Sequence, residues 1–156
     1  MARAYTAQAN NVSVSAVIDL LSLQTTGAMV MEIDELDLGQ VTATSVGNLR
    51  CQFKRFSGGY TIGSGGTPGP ITPRPHVFGD SAATVTAHGG DTTPTSGGTP
   101  VTLGADAINV INGYQKLPAP EDRWSFTISQ AFVWTLDSAP GSAETMSMQV
   151  VFRETV

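Results

Sequence analysis

The sequence is short of charge, of histidine and of cysteine, and each shortage closes off a class of function. Charged residues make up 13% of the 156, about half the usual share. Because 40% of the residues are apolar, the low charge does not signal disorder, which combines low hydrophobicity with high net charge. Instead the polar surface must consist mostly of Thr, Ser, Asn and Gln, which suits a protein held inside an assembly. The net charge is −5 and the eight cations are scattered, with Lys54 and Arg55, near Arg50, as the densest group. Phosphate neutralisation needs a basic face, so no nucleic-acid partner is expected. Lys54 and Arg55 read as one exposed and one edge position of a strand.

Cys51 is the only cysteine, so no intramolecular disulfide can form. It alternates with Leu49 and Phe53 and reads as a buried thiol, since a reactive one would want more basic neighbours than Arg50. His76 and His88 are the only histidines, four residues before Asp80 and three before Asp91. A metal pair would need fixed backbone, and both lie in loop-like sequence without a cysteine nearby. No metal and no other cofactor is expected. There is no run of 18 apolar residues, and the opening MARAYTAQANN lacks the apolar stretch of a signal peptide. The expectation is a chain folded in a cytoplasm, without a membrane partner, in which the sequon Asn11-Val12-Ser13 goes unused.

What the sequence has in abundance is period-two alternation, the mark of half-buried strands. Val12, Val14, Ala16, Ile18 and Leu20 share one parity. Leu49, Cys51 and Phe53 alternate with Arg50, Gln52 and Lys54. Ile108, Val110 and Asn112 alternate with Asn109, Ile111 and Gly113. Met146, Met148, Val150 and Phe152 oppose Thr145, Ser147, Gln149 and Val151. The longest row runs through Trp124, Phe126, Ile128, Gln130, Phe132 and Trp134. β-Branched and aromatic residues fill these runs. Helix signals are poor; the one candidate is a turn capped by Ser15 before Leu20. Seven to nine antiparallel strands in one domain over residues 1–156 predict an all-β antiparallel sandwich, with a jelly roll favoured. Phe126, Ile128 and Phe132 are expected between its sheets.

Residues 57–100 differ, holding 11 of the 17 glycines and 6 of the 9 prolines. Each proline removes a ladder donor, so SGGYTIGSGGTPGPITPRPHVFGD cannot be a central strand, although SAATVTAH can make one. The segment reads as a long excursion from the sandwich, and loops of that length are usually functional or disordered. Prolines stiffen it and glycines relax it, as in an arm that settles on a neighbouring subunit.

Catalytic patterns are weak. GSGG lacks the Lys-Ser/Thr ending of a phosphate loop, and no nucleophile elbow is present. In EIDELD, Glu32 and Asp34 would share a solvent face with Ile33 inward; Glu35 and Asp37 complete a carboxylate cluster for which cation binding is the rival reading. The aromatic row from Trp124 to Trp134 reads as core, with a sugar-binding face as the alternative. No enzyme is expected.

The order of MARAYTAQANNVSVSAVIDLL, LDLGQ, GSGGTPGPITPRP, DAINVINGYQKLPAPEDR and ETMSMQVVFRET resembles a family of small structural proteins encoded among the head and tail genes of tailed bacteriophages. The resemblance spans nearly the whole chain but rests on turn and strand motifs, and it carries over no catalytic residue. It implies a virion protein assembled in the host cytoplasm, foremost a capsid decoration or cement protein bound to the major capsid protein or other virion subunits. A tail, adaptor or baseplate component is the nearer rival, and a carbohydrate-binding module the rival of another class. The low charge and the arm add the expectation of a homo-oligomer, a trimer above others. The interface is expected in the arm, at Tyr60, Ile62, Ile71, Pro73, Arg74, Pro75 and Phe78, with the arm ordered mainly by its neighbours.

Overall fold

The computed structural model describes residues 2–42, 48–109 and 111–155; Val110, one of the alternating residues above, lies outside them. The strands are β1 (Arg3–Val14), β2 (Asp19–Gln24), β3 (Val30–Thr42), β4 (Asn48–Thr61), β5 (Gly69–Ile71) and β6 (Arg74–Pro75). They continue with β7 (Thr86–Asp91), β8 (Ser96–Asn109), β9 (Tyr114–Lys116), β10 (Ser125–Phe126), β11 (Gln130–Leu136) and β12 (Glu144–Thr155). One sheet has the order β10-β3-β12-β1-β6, with β9 also on β3; the other has β5-β7-β2-β11-β4-β8.

Five antiparallel pairings explain this order: β1 with β12, β2 with β11, β3 with both β9 and β10, and β4 with β8. The chain is thus one long ribbon, its first half paired to its second. Rolling that ribbon closes it through two further pairings, β3 with β12 and β4 with β11. Strands β1 to β4 and β10 to β12 alternate between the two sheets, as in the winding of a jelly roll.

Alternation places the core. Tyr5, Ala7 and Ala9 of β1, Leu49, Cys51 and Phe53 of β4, and Met146, Met148, Val150 and Phe152 of β12 are all buried in one cluster. Phe53 is its aromatic hub, with ring centroids 5.1 Å from Trp124, 5.7 Å from Trp134 and 6.4 Å from Phe132. Such pairs add about 0.5–1.5 kcal/mol each beyond their buried area. Burial pushes the Cys51 thiol pKa up, which keeps it protonated and inert.

Three sequence expectations need correction. The row from Trp124 to Trp134 is not one strand: Phe126 belongs to β10 in one sheet and Phe132 to β11 in the other. Between them Ser129 turns the chain with φ of 60°, and Ile128 is 58% exposed rather than buried. The row Val12 to Leu20 breaks likewise, because residues 15–17 cross between sheets and Ala16 is exposed. No helix forms at Ser15; the only helical turn among the described residues is 3-10, at Pro120–Asp122. In the two alternating rows a regular period continued through a turn, which period alone does not reveal.

Candidate docking surface

The glycine- and proline-rich segment enters between β4 and β8, at the tip of the ribbon. Residues 62–95 leave that tip and cross to the opposite side of the sandwich. There β7 pairs with β2, β5 with β7, and β6 with β1. The excursion therefore covers the edges of both sheets where β1 and β2 would otherwise lie open, and two of its prolines, Pro70 and Pro75, sit in short edge strands, where a missing donor is tolerated.

This overturns the expectation of an arm ordered by its neighbours. Ser64 and Thr93 exchange backbone hydrogen bonds of 3.0 and 2.9 Å at its base. Buried Glu154 accepts from the amides of Thr84 and Val85, both at 2.7 Å. The Tyr5 hydroxyl donates to the Ser81 carbonyl at 3.1 Å and Arg3 Nη1 to Ser81 Oγ at 2.6 Å. The His76 amide donates to the Ala4 carbonyl, and His76 Nε2 lies 2.7 Å from Thr6 Oγ1. Glycine makes this fit possible. At Gly66, with φ of +79°, a Cβ would collide with the carbonyl oxygen of Gly90. At Gly90, with φ of +68°, it would meet the Thr67 carbonyl and Val12.

The seven residues expected at an interface divide accordingly. Tyr60 and Ile62 pack on Phe56, Ala131 and Val133, forming a small cluster on the outer face of β4 and β11. Ile71 packs against the main core and Pro73 is buried. These four serve the subunit's own structure. Arg74, Pro75 and Phe78 are exposed. Arg74 and Ile71 line a groove of about 310 Å³ with Thr6, Gln8 and Pro70. Beyond it the chain turns sharply at residues 77–80, where the Asp80 amide donates to the Val77 carbonyl at 3.2 Å and Gly79 has φ of +93°. The turn presents Val77, 62% exposed, and Phe78, fully exposed. An apolar tip thus stands on a rigid mount.

The other sequence candidates have partners within the subunit's own packing. His88 lies in β7 rather than in a loop, with Nδ1 3.6 Å from Asp91 Oδ1. Asp91 is wholly buried, opposite buried Asp19 across the β2–β7 pair. Burial pushes its pKa up, the charge of Asp19 adds to the rise, and His88 opposes it. Asp19 accepts from the Thr95 amide at 2.6 Å. His76 lies against Thr6 rather than Asp80. In the EIDELD segment Ile33 points inward as expected, but Asp34 is held by Arg123 at 2.9 Å and Arg153 at 2.7 Å. Gln115 donates to Glu35. Two guanidiniums on Asp34 supply the positive charge that a cation would bring. Among the described residues no group of three His, Cys, Asp or Glu side chains is arranged to hold a metal ion.

The two tryptophans differ in exposure: Trp124 is half-buried and lines a surface pocket of about 380 Å³ with Lys116, Leu117 and Pro118. Trp134 is buried, and Trp124 packs on Phe53 and Phe132 with Lys116 Nζ 5.8 Å from its ring centroid. Lys116 is held in turn by Asp106 at 3.2 Å. Asp106 accepts a 2.6 Å hydrogen bond from the Tyr114 hydroxyl, which together with Lys116 draws the Asp106 pKa down and, with burial, pushes that of Tyr114 well up. Sequence reasoning missed this triad because its members come from two sheets.

Comparison with protein-family models, with curated proteins and with solved structures finds no match for this chain.

Proposed function

We propose that this chain is a non-catalytic structural subunit of a tailed-bacteriophage particle that binds other protein, foremost as a decoration protein on the capsid. The observation that carries the docking part of this reading is Phe78. A fully exposed phenylalanine held at a tight turn on an anchored mount loses little conformational freedom on binding. A pre-ordered aromatic anchor of that kind is what interface hot spots use. The phage part rests on the order of sequence motifs and on the low-charge polar surface. Repeated contacts on a symmetric lattice would turn a modest anchor into firm attachment.

The test uses purified particles of the phage that encodes the chain. Quantitative mass spectrometry should find it in hundreds of copies, and labelled chain should sediment with particles stripped of it. The Phe78→Ser variant should fold normally and lose that co-sedimentation. A few to a few tens of copies would move the protein to the tail or baseplate. Absence from the particle, or full attachment of Phe78→Ser, would end the corresponding part of the reading.

A further inference from the structure

The edge opposite the excursion is finished differently. Strand β8, Ser96–Asn109, pairs with β4 on one side, and its other side closes the sheet order. Up to Ile108, no backbone group of this strand has a hydrogen bond with any described residue outside the β4 ladder. The other sheet ends are short strands of two or three residues: β5, β6, β9 and β10. β8 is fourteen residues long and exposed from Ser96 to Thr102, with Leu103, Gly104 and Asp106 half-buried, Ile108 buried and Asp106 as its one charged side chain. Natural sheets guard such edges with lysines, inward charges, prolines or bulges. Here a bulge at Leu103, opposite the Phe53–Lys54 step, interrupts the edge, and Pro100 and the register shift opposite Ser57–Tyr60 break it again without closing it. Open ladder groups remain on both sides of the bulge.

The charges beside this edge specify what could fill it. Lys54 lies in register with Thr102, and Arg55 with Val101. On the other side Lys54 pairs with Val133, a member of the outer cluster, and Arg55 with Phe132 of the core. Register partners share a face, so the two cations stand on opposite faces of the sheet, one strand in from the edge. Both are partly exposed, and neither has an ion pair among the described residues. The neighbouring Arg50 and Lys116 are already committed to Asp137 and Asp106.

We infer that β8 is a strand-addition site that takes an extended segment of a partner protein carrying adjacent carboxylates, one projecting to each face. Backbone hydrogen bonds to β8 supply affinity, and Lys54 and Arg55, about two strand spacings of roughly 4.8 Å away, select the acidic segment. A second copy of β8 fits less well: it brings only Asp106 and would set the two pairs of free cations on the same joined sheet. This inference rests on the reading of the chain as a protein-binding subunit, but uses the surface opposite Phe78.

The probe is a fluorescein-labelled eight-residue peptide of threonine and valine with two glutamates at its centre, titrated against the full chain by fluorescence anisotropy. It should bind at least tenfold more tightly than the same peptide with two central lysines. N-methylation of alternate amides, made separately in each of the two sets, should cost at least tenfold in one set alone. In a Lys54→Glu, Arg55→Glu chain the preference should invert, with the melting temperature checked in parallel; a Lys54→Gln, Arg55→Gln chain, losing the preference, serves if the double reversal unfolds. Phe78→Ser should leave peptide binding unchanged, so loss of particle attachment and loss of strand addition are read separately. Equal binding of acidic and basic peptides, indifference to both methylation patterns, or a self-paired dimer in sedimentation that the acidic peptide does not dissociate would overturn the assignment.

Discussion

The two sides of this sandwich solve the same problem in opposite ways. At the β1 and β2 side the open ladders are covered by residues 62–95 of the chain itself, fitted so closely that a methyl group at Gly66 or Gly90 has no room. At the β4 side the sheet ends at β8 and, among the described residues, leaves a long edge unpaired. Backbone polar groups must find a partner in protein or water, and only the first side finds it within the subunit. Glycine content does not distinguish a rigid segment from a loose one. It marks close approach in the excursion, whereas at Gly39 of β3, where a Cβ would meet nothing within 4 Å, it marks nothing of the kind.

The largest effect should come from the core that both sides share. Phe132 packs on Phe53, Phe126 and Trp124, and Phe132→Ala should cost about 3–5 kcal/mol in urea unfolding. A loss under about 1 kcal/mol would mean that the inner face of β11 is misassigned. Next comes the covered side. Gly66→Ala should cost about 1–3 kcal/mol from overpacking and speed amide exchange across residues 63–93, while Gly39→Ala changes stability little. Equal effects of the two would remove the distinction between close approach and open space.

A pH dependence should follow from Asp91. Its folded pKa is raised by burial, so the folded state binds its proton more tightly than the unfolded chain, whose value is about 3.9. The stabilisation is full below that value and is lost as pH rises through the folded pKa. In Asp91→Asn this loss should disappear from the stability-versus-pH curve; an unchanged slope would assign it to other groups. The smallest effect should be at the tip. Phe78→Ser should shift stability by no more than about 0.5 kcal/mol, because the ring touches little of its own subunit. A larger loss would make Phe78 structural rather than a free anchor.

Much of the core was legible residue by residue. Leu49, Cys51 and Phe53, and the four alternating residues of β12, are buried as their period requires, because a strand with one face on a core leaves that pattern in any sequence. Arg74, Pro75 and Phe78, expected from the sequence at an interface, are exposed. Ile128 was not legible, because a turn between two strands can preserve parity while reversing the chain. The packing of Tyr60, Ile62, Ile71 and Pro73 on their own subunit was not legible for a related reason: sparse apolar residues in a glycine-rich stretch look alike whether they anchor to a neighbour or to their own sheet.

By itself, then, the sequence determined the all-β class, the inward residues of the long strands and the near absence of catalytic motifs, since side-chain alternation and composition are local properties. Only the tertiary structure decided that residues 62–95 fold back over the β1 and β2 edges, that Asp34 meets two arginines and that β8 has no strand on its outer side among the described residues. Those outcomes depend on which strands lie beside each other, and pairing between residues far apart in the chain is set by the whole ribbon's winding rather than by any segment within it.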